Sequence, residues 1–346
     1  MNSFANKYKE SDTSNTYTAT LIKAKPYTKI GIVLFLILII IFPSYSFEGA
    51  KQGLLLWFNT ILPTLLPFII LSNLIIKMQI TASLSKLVYP IFHILFGVSK
   101  EGCYPVLIGF LSGIPVGAKS VSDLLKNKRI KTEEAEFLLG FCNNASPMFI
   151  MSYIAISQLK LPGMRFGILI ILYLSAILSS KIYFTLSNMQ KNKKKNKNEI
   201  SALSLNADEI IQIKIEKFDF ALLDASIMNG FEIITKVGGY IILFSIPAKI
   251  ITNLYPSENM IKLLAVGLLE ITTGINQISN SSYPLNIKIV LVIILTAFGG
   301  LSGLAQTKSV INETRLSILT YVKVKCLNML IACVLTIFYL YVCKLI

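Results

Sequence analysis

The run IGIVLFLILIIIF at 30–42 and the run GILIILYLSAILSS at 167–180 contain no charged residue. Hydrocarbon supplies no partner for a backbone amide, so stretches like these enter lipid only as helices or as strands of a closed barrel. Their unbroken apolar character, without period-two alternation, selects helices. Further apolar segments fall at 53–76, 80–98, 103–125, 135–158 and 163–188, then at 225–252, 259–280, 284–310 and 316–343. Only 15% of the residues are charged and the mean hydropathy is +0.66. A soluble domain carries about 25% charge. The expected fold is all-α, a polytopic membrane protein of about eight to ten membrane segments. The first run, 30–47, lies too far from the start to be a removable signal peptide and reads as an N-terminal membrane helix.

The net charge is +15, from 33 Lys and Arg against 18 Asp and Glu. The excess sits in loops beside apolar segments, which is the pattern of membrane topology and not of a nucleic-acid partner. Lys7, Lys9, Lys23, Lys25 and Lys29 mark a polar tail over 1–29, expected to be disordered and cytoplasmic. Lys126, Lys128, Arg129 and Lys131 mark a second basic loop. The run QKNKKKNKNE at 190–199 marks a third, in a basic linker over 189–217. Placed inside, these loops divide the chain into a first repeat at 50–158, a connecting helix at 163–188 and a second repeat at 225–343. The two repeats then cross in opposite senses, which is inverted-repeat architecture. The segments 80–98 and 103–125 leave one choice open: the first can lie along the membrane surface, and the second can re-enter as a hairpin.

Five cysteines lie in apolar stretches without a CxxC spacing and read as buried thiols. The single histidine, His93, lacks partners for a metal. No P-loop, zinc-protease or nucleophile-elbow motif occurs, so neither an enzyme nor a cofactor is expected.

Polar residues inside apolar segments are where function is sought in such a chain. The phrase LSGIPVGAKSV at 111–121 is answered by LSGLAQTKSV at 301–310, with Ala305 opposite Pro115 and Gln306 opposite Val116. The first copy supplies Ser112, Gly113, Lys119 and Ser120 as candidate substrate-binding residues. The second supplies Ser302, Gly303, Gln306 and Lys308. Glycine and proline interrupt a helix and free amides that attract anions, and the lysines add charge. A third cluster, Asn143, Asn144 and Ser146 before Pro147, brings amides and freed carbonyls that suit a polar ligand or a cation. The fourth is Glu270 with Thr273 in GLLEITTG, a lone intramembrane carboxylate that reads as an ion-coupling site.

In LIGFLSGIPVGAKSVSDL, FCNNASPMFI and GLLEITTG, taken in that order, the chain resembles the YlbJ-like sporulation integral membrane proteins. These belong to the nucleoside-recognition or gate domain group, related in architecture to the concentrative nucleoside transporters. The resemblance covers residues 50 to 343. It implies a transporter of the bacterial cell membrane, or of the mother-cell-derived outer forespore membrane, moving dipicolinate or a similar small polar anion. A nucleoside-like solute coupled to sodium or protons is the second expectation, and a non-transporting scaffold of a spore-envelope complex the third. Expected partners are the small-molecule substrate, membrane lipid and, in one arrangement, further copies of the chain.

Overall fold

The computed structural model describes residues 26–78, 80–194, 219–255 and 259–344. The tail expected over 1–29 and the linker expected over 189–217 lie outside the described residues, except for 26–29 and 189–194, which are helical. Helix α1 (Pro26–Ile41) belongs to a unit that ends at Pro43, and Ser44–Ile346 make up the second unit. Most isoleucines and leucines of α1 are exposed, a surface suited to lipid.

In the second unit every described element is a helix. Helix α2 (Pro43–Leu56), a π-helical turn (Trp57–Ile61) and α3 (Leu62–Lys77) run on as one apolar rod. Helix α4 (Ile80–Phe96) packs on α3 and leaves Leu87, Ile91 and Ile94 exposed on one face, at the spacing of successive helical turns. Then α5 (Cys103–Ser112) and α6 (Val116–Lys126) fold back on each other. Their legs of 10 and 11 residues are too short to span, since crossing takes about 20. The open choice at 103–125 therefore resolves to a hairpin. Gly113 makes its turn, at φ 74°, a region that side chains with a Cβ avoid.

Helix α7 (Thr132–Cys142) stops at Asn143, and the chain resumes as a π-helical segment, Phe149–Gln158. The long α8 (Arg165–Lys194) follows. After the linker comes α9 (Phe220–Leu254). Next is a second hairpin of α10 (Met260–Leu269) and α11 (Ile271–Ser279), where the sequence predicts one membrane segment over 259–280. Its legs of 10 and 9 residues are again too short to cross singly. Helix α12 (Leu285–Phe298) breaks at Gly299, in the left-handed region at φ 91°, and α13 (Gly300–Ile311) continues it. Helix α14 (Ile318–Val342) closes the unit and packs on α8 and α12. The order hairpin, interrupted helix, long helix thus occurs twice.

Proline alone does not set the breaks: Pro67, Pro90 and Pro247 sit inside α3, α4 and α9 without ending them. Three interruptions come where glycine or paired asparagines give the backbone another conformation and another partner, and the fourth comes at Glu270, whose side chain caps the helix that follows. Among the described residues, five helices are long and apolar enough to cross a membrane, by length and composition. Two apolar cores fill the unit. One gathers around the Phe149–Gln158 segment, α8 and α12, the other around α5, α6 and α7. Of the thiols, Cys103 and Cys142 are buried as expected, whereas Cys326 and Cys343 are exposed on the outer surface of α14 and just beyond its end.

Candidate functional site: a cavity where four helix interruptions meet

The tip of the first hairpin seats against the first interrupted helix. Ile114 N donates to Asn144 O at 2.9 Å, so the tip satisfies a carbonyl that the break frees. A Cβ on Gly113 would lie 2.7 Å from Ser146 N, which shows how closely the two backbones approach. Tyr173 on α8 braces both, donating to Phe110 O at 2.8 Å and lying 3.4 Å from Ala145 O. Ser146 Oγ accepts from Phe149 N and starts the π-helical segment.

The second hairpin turns at Glu270, which caps α11. Its Oε2 accepts from Thr273 N at 2.6 Å and from the Thr272 hydroxyl. Tyr153, from the segment after the first break, donates to Thr272 O at 2.8 Å. Thr273 Oγ1 meets Ser245 Oγ of α9 at 2.9 Å. Neither Lys236 nor Lys308 pairs with Glu270, so this buried carboxylate has no counter-ion among the described residues. At the fourth interruption α13 starts without a side-chain cap, leaving first-turn amides free.

Between these four points lies a cavity of about 90 Å³. The first hairpin tip brings Ser112 and Ile114 to it, the first break Ala145, Ser146 and Phe149, the second tip Glu270, Ile271 and Thr272. The second break brings Gly299, Ser302, Gly303 and Gln306, while α3 and α9 supply apolar walls that include Phe68 and Ile241. Ser112 Oγ is buried with no hydrogen-bond partner. No hydrogen bond to the Ser302 hydroxyl or the Gln306 side-chain amide occurs among the described residues. Three polar side chains therefore face one small space with bonding capacity unspent, and buried polar groups are rarely left so.

Of the residues singled out in the sequence, Ser112, Ser146, Ser302, Gly303, Gln306 and Glu270 come together on this cavity. Gly113 and Thr273 shape its rim through their backbones. The others stand apart from the lining. Asn143 Nδ2 donates to Thr307 Oγ1 and to Tyr321 OH, and its Oδ1 accepts from Ala118 N. Asn144 Nδ2 donates to Phe141 O, and Oδ1 accepts from Lys325 Nζ at 2.5 Å. The Ser120 hydroxyl donates to Gly117 O within its own helix. Lys119 is exposed and pairs with Asp123 at 3.3 Å, and Lys308 is exposed. The lysines were expected to reach substrate, but both occupy the outward face of their helices.

Lys325 is a correction of another kind. Its position in VKVKC predicts an interfacial side chain, yet only 1% of it is exposed. The side chain points into the bundle because α14 packs on α7 and α8 on that face. Thr272 and Thr296 also line the cavity, and neither spacing nor charge marks Thr296 out in an otherwise apolar helix.

No family model matches the chain, and no solved structure matches it. The sporulation integral membrane protein YlbJ of Bacillus subtilis (strain 168) is 27% identical to it over 294 residues, covering 79% of this chain and 72% of that protein. The ordered motifs, the all-helical architecture with several apolar helices and this alignment agree, and the chain is an integral membrane protein similar to the sporulation protein YlbJ.

Proposed function

We propose that the protein is a secondary transporter that moves a small polar anion, dipicolinate first among them, with the four-interruption cavity as its solute site. The observation that carries this reading is the convergence of Ser112, Ser302 and Gln306, whose side chains have no hydrogen-bond partner among the described residues, on one cavity. The free amides at the start of α13 suit a carboxylate. Phe68 and Phe149 on the lining suit a flat ring. The relative's name supports a role in sporulation.

The repeated element order supports alternating access. If the hairpins enter and leave on one side, 132–158 joins Pro43–Ile75 and Pro162–Ser187 as three crossings of the first half. Phe220–Leu254, Leu285–Ile311 and Ile318–Val342 are three crossings of the second half. An odd number per half inverts the second half relative to the first, with both hairpin tips meeting near the midplane. In this reading α8 completes the first half as α14 completes the second. The basic residues at Lys77 and 126–131 then stay on the cytoplasmic side.

A dianion beside Glu270 gathers like charges in a medium of low dielectric constant. The reading therefore includes a proton or a small cation taken up with the solute at Glu270, whose carboxylate is held by the Thr273 amide. A second reading, transport of a neutral nucleoside-like solute, is favoured by one observation: no lysine, arginine or histidine lines the cavity.

Uptake of labelled dipicolinate and of labelled uridine into proteoliposomes decides between them. Saturable dipicolinate uptake, lost in Ser302→Ala with the protein still inserted, is the expected result. Saturable uridine uptake alone selects the second reading. Neither uptake, under sodium, proton or zero gradient, leaves a scaffold of a spore-envelope complex.

A further inference from the structure

Among the described residues, Glu270 and Lys325 are the charged side chains buried to 1% exposure. Neither takes part in an ion pair. Glu270 faces the cavity. Lys325 is not on the lining. Its Nζ donates to Asn144 Oδ1 at 2.5 Å and lies 5.4 Å from the centre of the Tyr321 ring. Asn144 immediately precedes Ala145 and Ser146, which line the cavity, and its carbonyl binds the tip of the first hairpin. The ammonium is thus bonded to the residue that precedes the lining segment, in the interior of a membrane protein.

A buried cation held by an amide and a ring is only partly compensated, because both offer partial charge. If Lys325 merely braced the break, an uncharged donor would do the same without the cost of desolvating an ion. What Lys325 adds in its protonated form is a positive potential reaching past Asn144 into a site of low dielectric constant. The cavity lining itself has a carboxylate and no cationic side chain, so charge beyond the lining adds to what the amides at the start of α13 offer an anion.

We infer that Lys325 is the charge-selecting residue of the solute site: a positioning group that acts through the Asn144–Ser146 interruption and makes the cavity accept a small carboxylate anion. The inference rests on the cavity being the solute site. It requires no direct contact between Nζ and solute, and it separates the group that recognises charge from the hydroxyls that recognise shape.

The test compares dipicolinate with its neutral diamide, pyridine-2,6-dicarboxamide, by titration calorimetry on the purified full chain. The wild type is expected to prefer the dianion. Lys325→Gln keeps a donor for Asn144 and removes the charge. It should weaken dipicolinate binding by roughly tenfold or more while the diamide stays within about twofold. Asn144→Asp, which turns the lysine into a neutral ion pair at nearly constant volume, should act in the same direction, and it decides the matter if Lys325→Gln does not fold. Equal losses for both ligands, or dipicolinate affinity that survives both variants, would overturn the inference and leave the site in place. A wild type that binds the diamide as well as or better than dipicolinate would do the same. If it binds neither ligand, the solute-site reading falls and this inference with it.

Discussion

Asn143 Nδ2 donates to Thr307 Oγ1 at 2.8 Å, joining the first interrupted helix to the helix that follows the second interruption, 164 residues away. Thr307 passes the bond on to Gly303 O, and Tyr321 OH closes the arrangement by bonding both the amide and the carbonyl of Asn143. The same asparagine receives Ala118 N from the first hairpin. One side chain therefore holds three of the elements that frame the cavity without lining it.

Asn143→Ala should accordingly act on stability. It removes the side-chain bonds to Thr307, Tyr321 and the Ala118 amide, each worth about 0.5–1.5 kcal/mol, while the two hydroxyls keep the bonds they donate to Gly303 O and to the backbone carbonyl at 143. Thermal unfolding in detergent should show a lowered Tm, while the folded fraction keeps its solute affinity. Affinity lost at an unchanged Tm would instead place Asn143 in the solute's own coordination shell.

Gly109 and Gly117 are where the first hairpin grips α7. A Cβ would lie 2.0 Å from Cys142 O at Gly109 and 2.1 Å from it at Gly117. Alanine at either position should prevent the folded hairpin, read as loss of monodisperse protein after extraction. Gly239→Ala, with nothing within 4 Å of the new methyl, should be neutral or stabilising by up to about 1 kcal/mol. Normal extraction of Gly109→Ala would show that the hairpin is not seated as described.

Glu270→Gln retains an acceptor for the Thr273 amide, so α11 keeps its cap, whereas Glu270→Ala loses it at about 1 kcal/mol. The glutamine variant should fold and lose the dependence of uptake on a cation or proton gradient. Uptake by Glu270→Gln that still follows the gradient would remove Glu270 from coupling.

Lys119→Gln and Lys308→Gln should leave the half-saturating solute concentration within about twofold, because exposed charges are screened and these two point away from the cavity. A larger rise in either variant would show that the solute passes over that face.

Lys126, at the foot of the first hairpin, bonds Glu313 in the loop after α13. That bond holds the Glu313 carboxyl below the usual carboxylate range and the Lys126 ammonium above the usual lysine range. A lowered carboxyl contributes stability above its ordinary pKa and loses it as pH falls through the lowered value. Unfolding curves of wild type and Glu313→Gln should differ slightly near neutrality and converge in acid. The raised ammonium gives a second convergence in strong alkali. A gap that widens in acid would contradict the assignment.

The membrane class, the helical content and most of the polar residues that line the cavity were legible in the chain. Apolar length and loop lysines report on lipid directly, through the cost of burying a bare amide or charge. Ser112, Ser302, Gln306 and Glu270 were visible because a polar residue in an apolar run has few reasons to be there. The match between LSGIPVGAKSV and LSGLAQTKSV proved to be a likeness of composition and not of place. The first copy wraps a hairpin tip, and the second lies within α13 apart from any turn. By element order the tip at Gly113 answers the tip at Glu270, and the break at Asn143 answers the break at Gly299. Short phrases record which residues can leave a helix, whereas hairpin or interrupted rod depends on what each leg packs against. The roles of Lys119, Lys308 and Lys325 divided for the same reason. All three are lysines near apolar segments, but which face of a helix turns inward is set by neighbours far away in the chain. Only the packing of α14 against α7 and α8 buries Lys325 and leaves the other two outside.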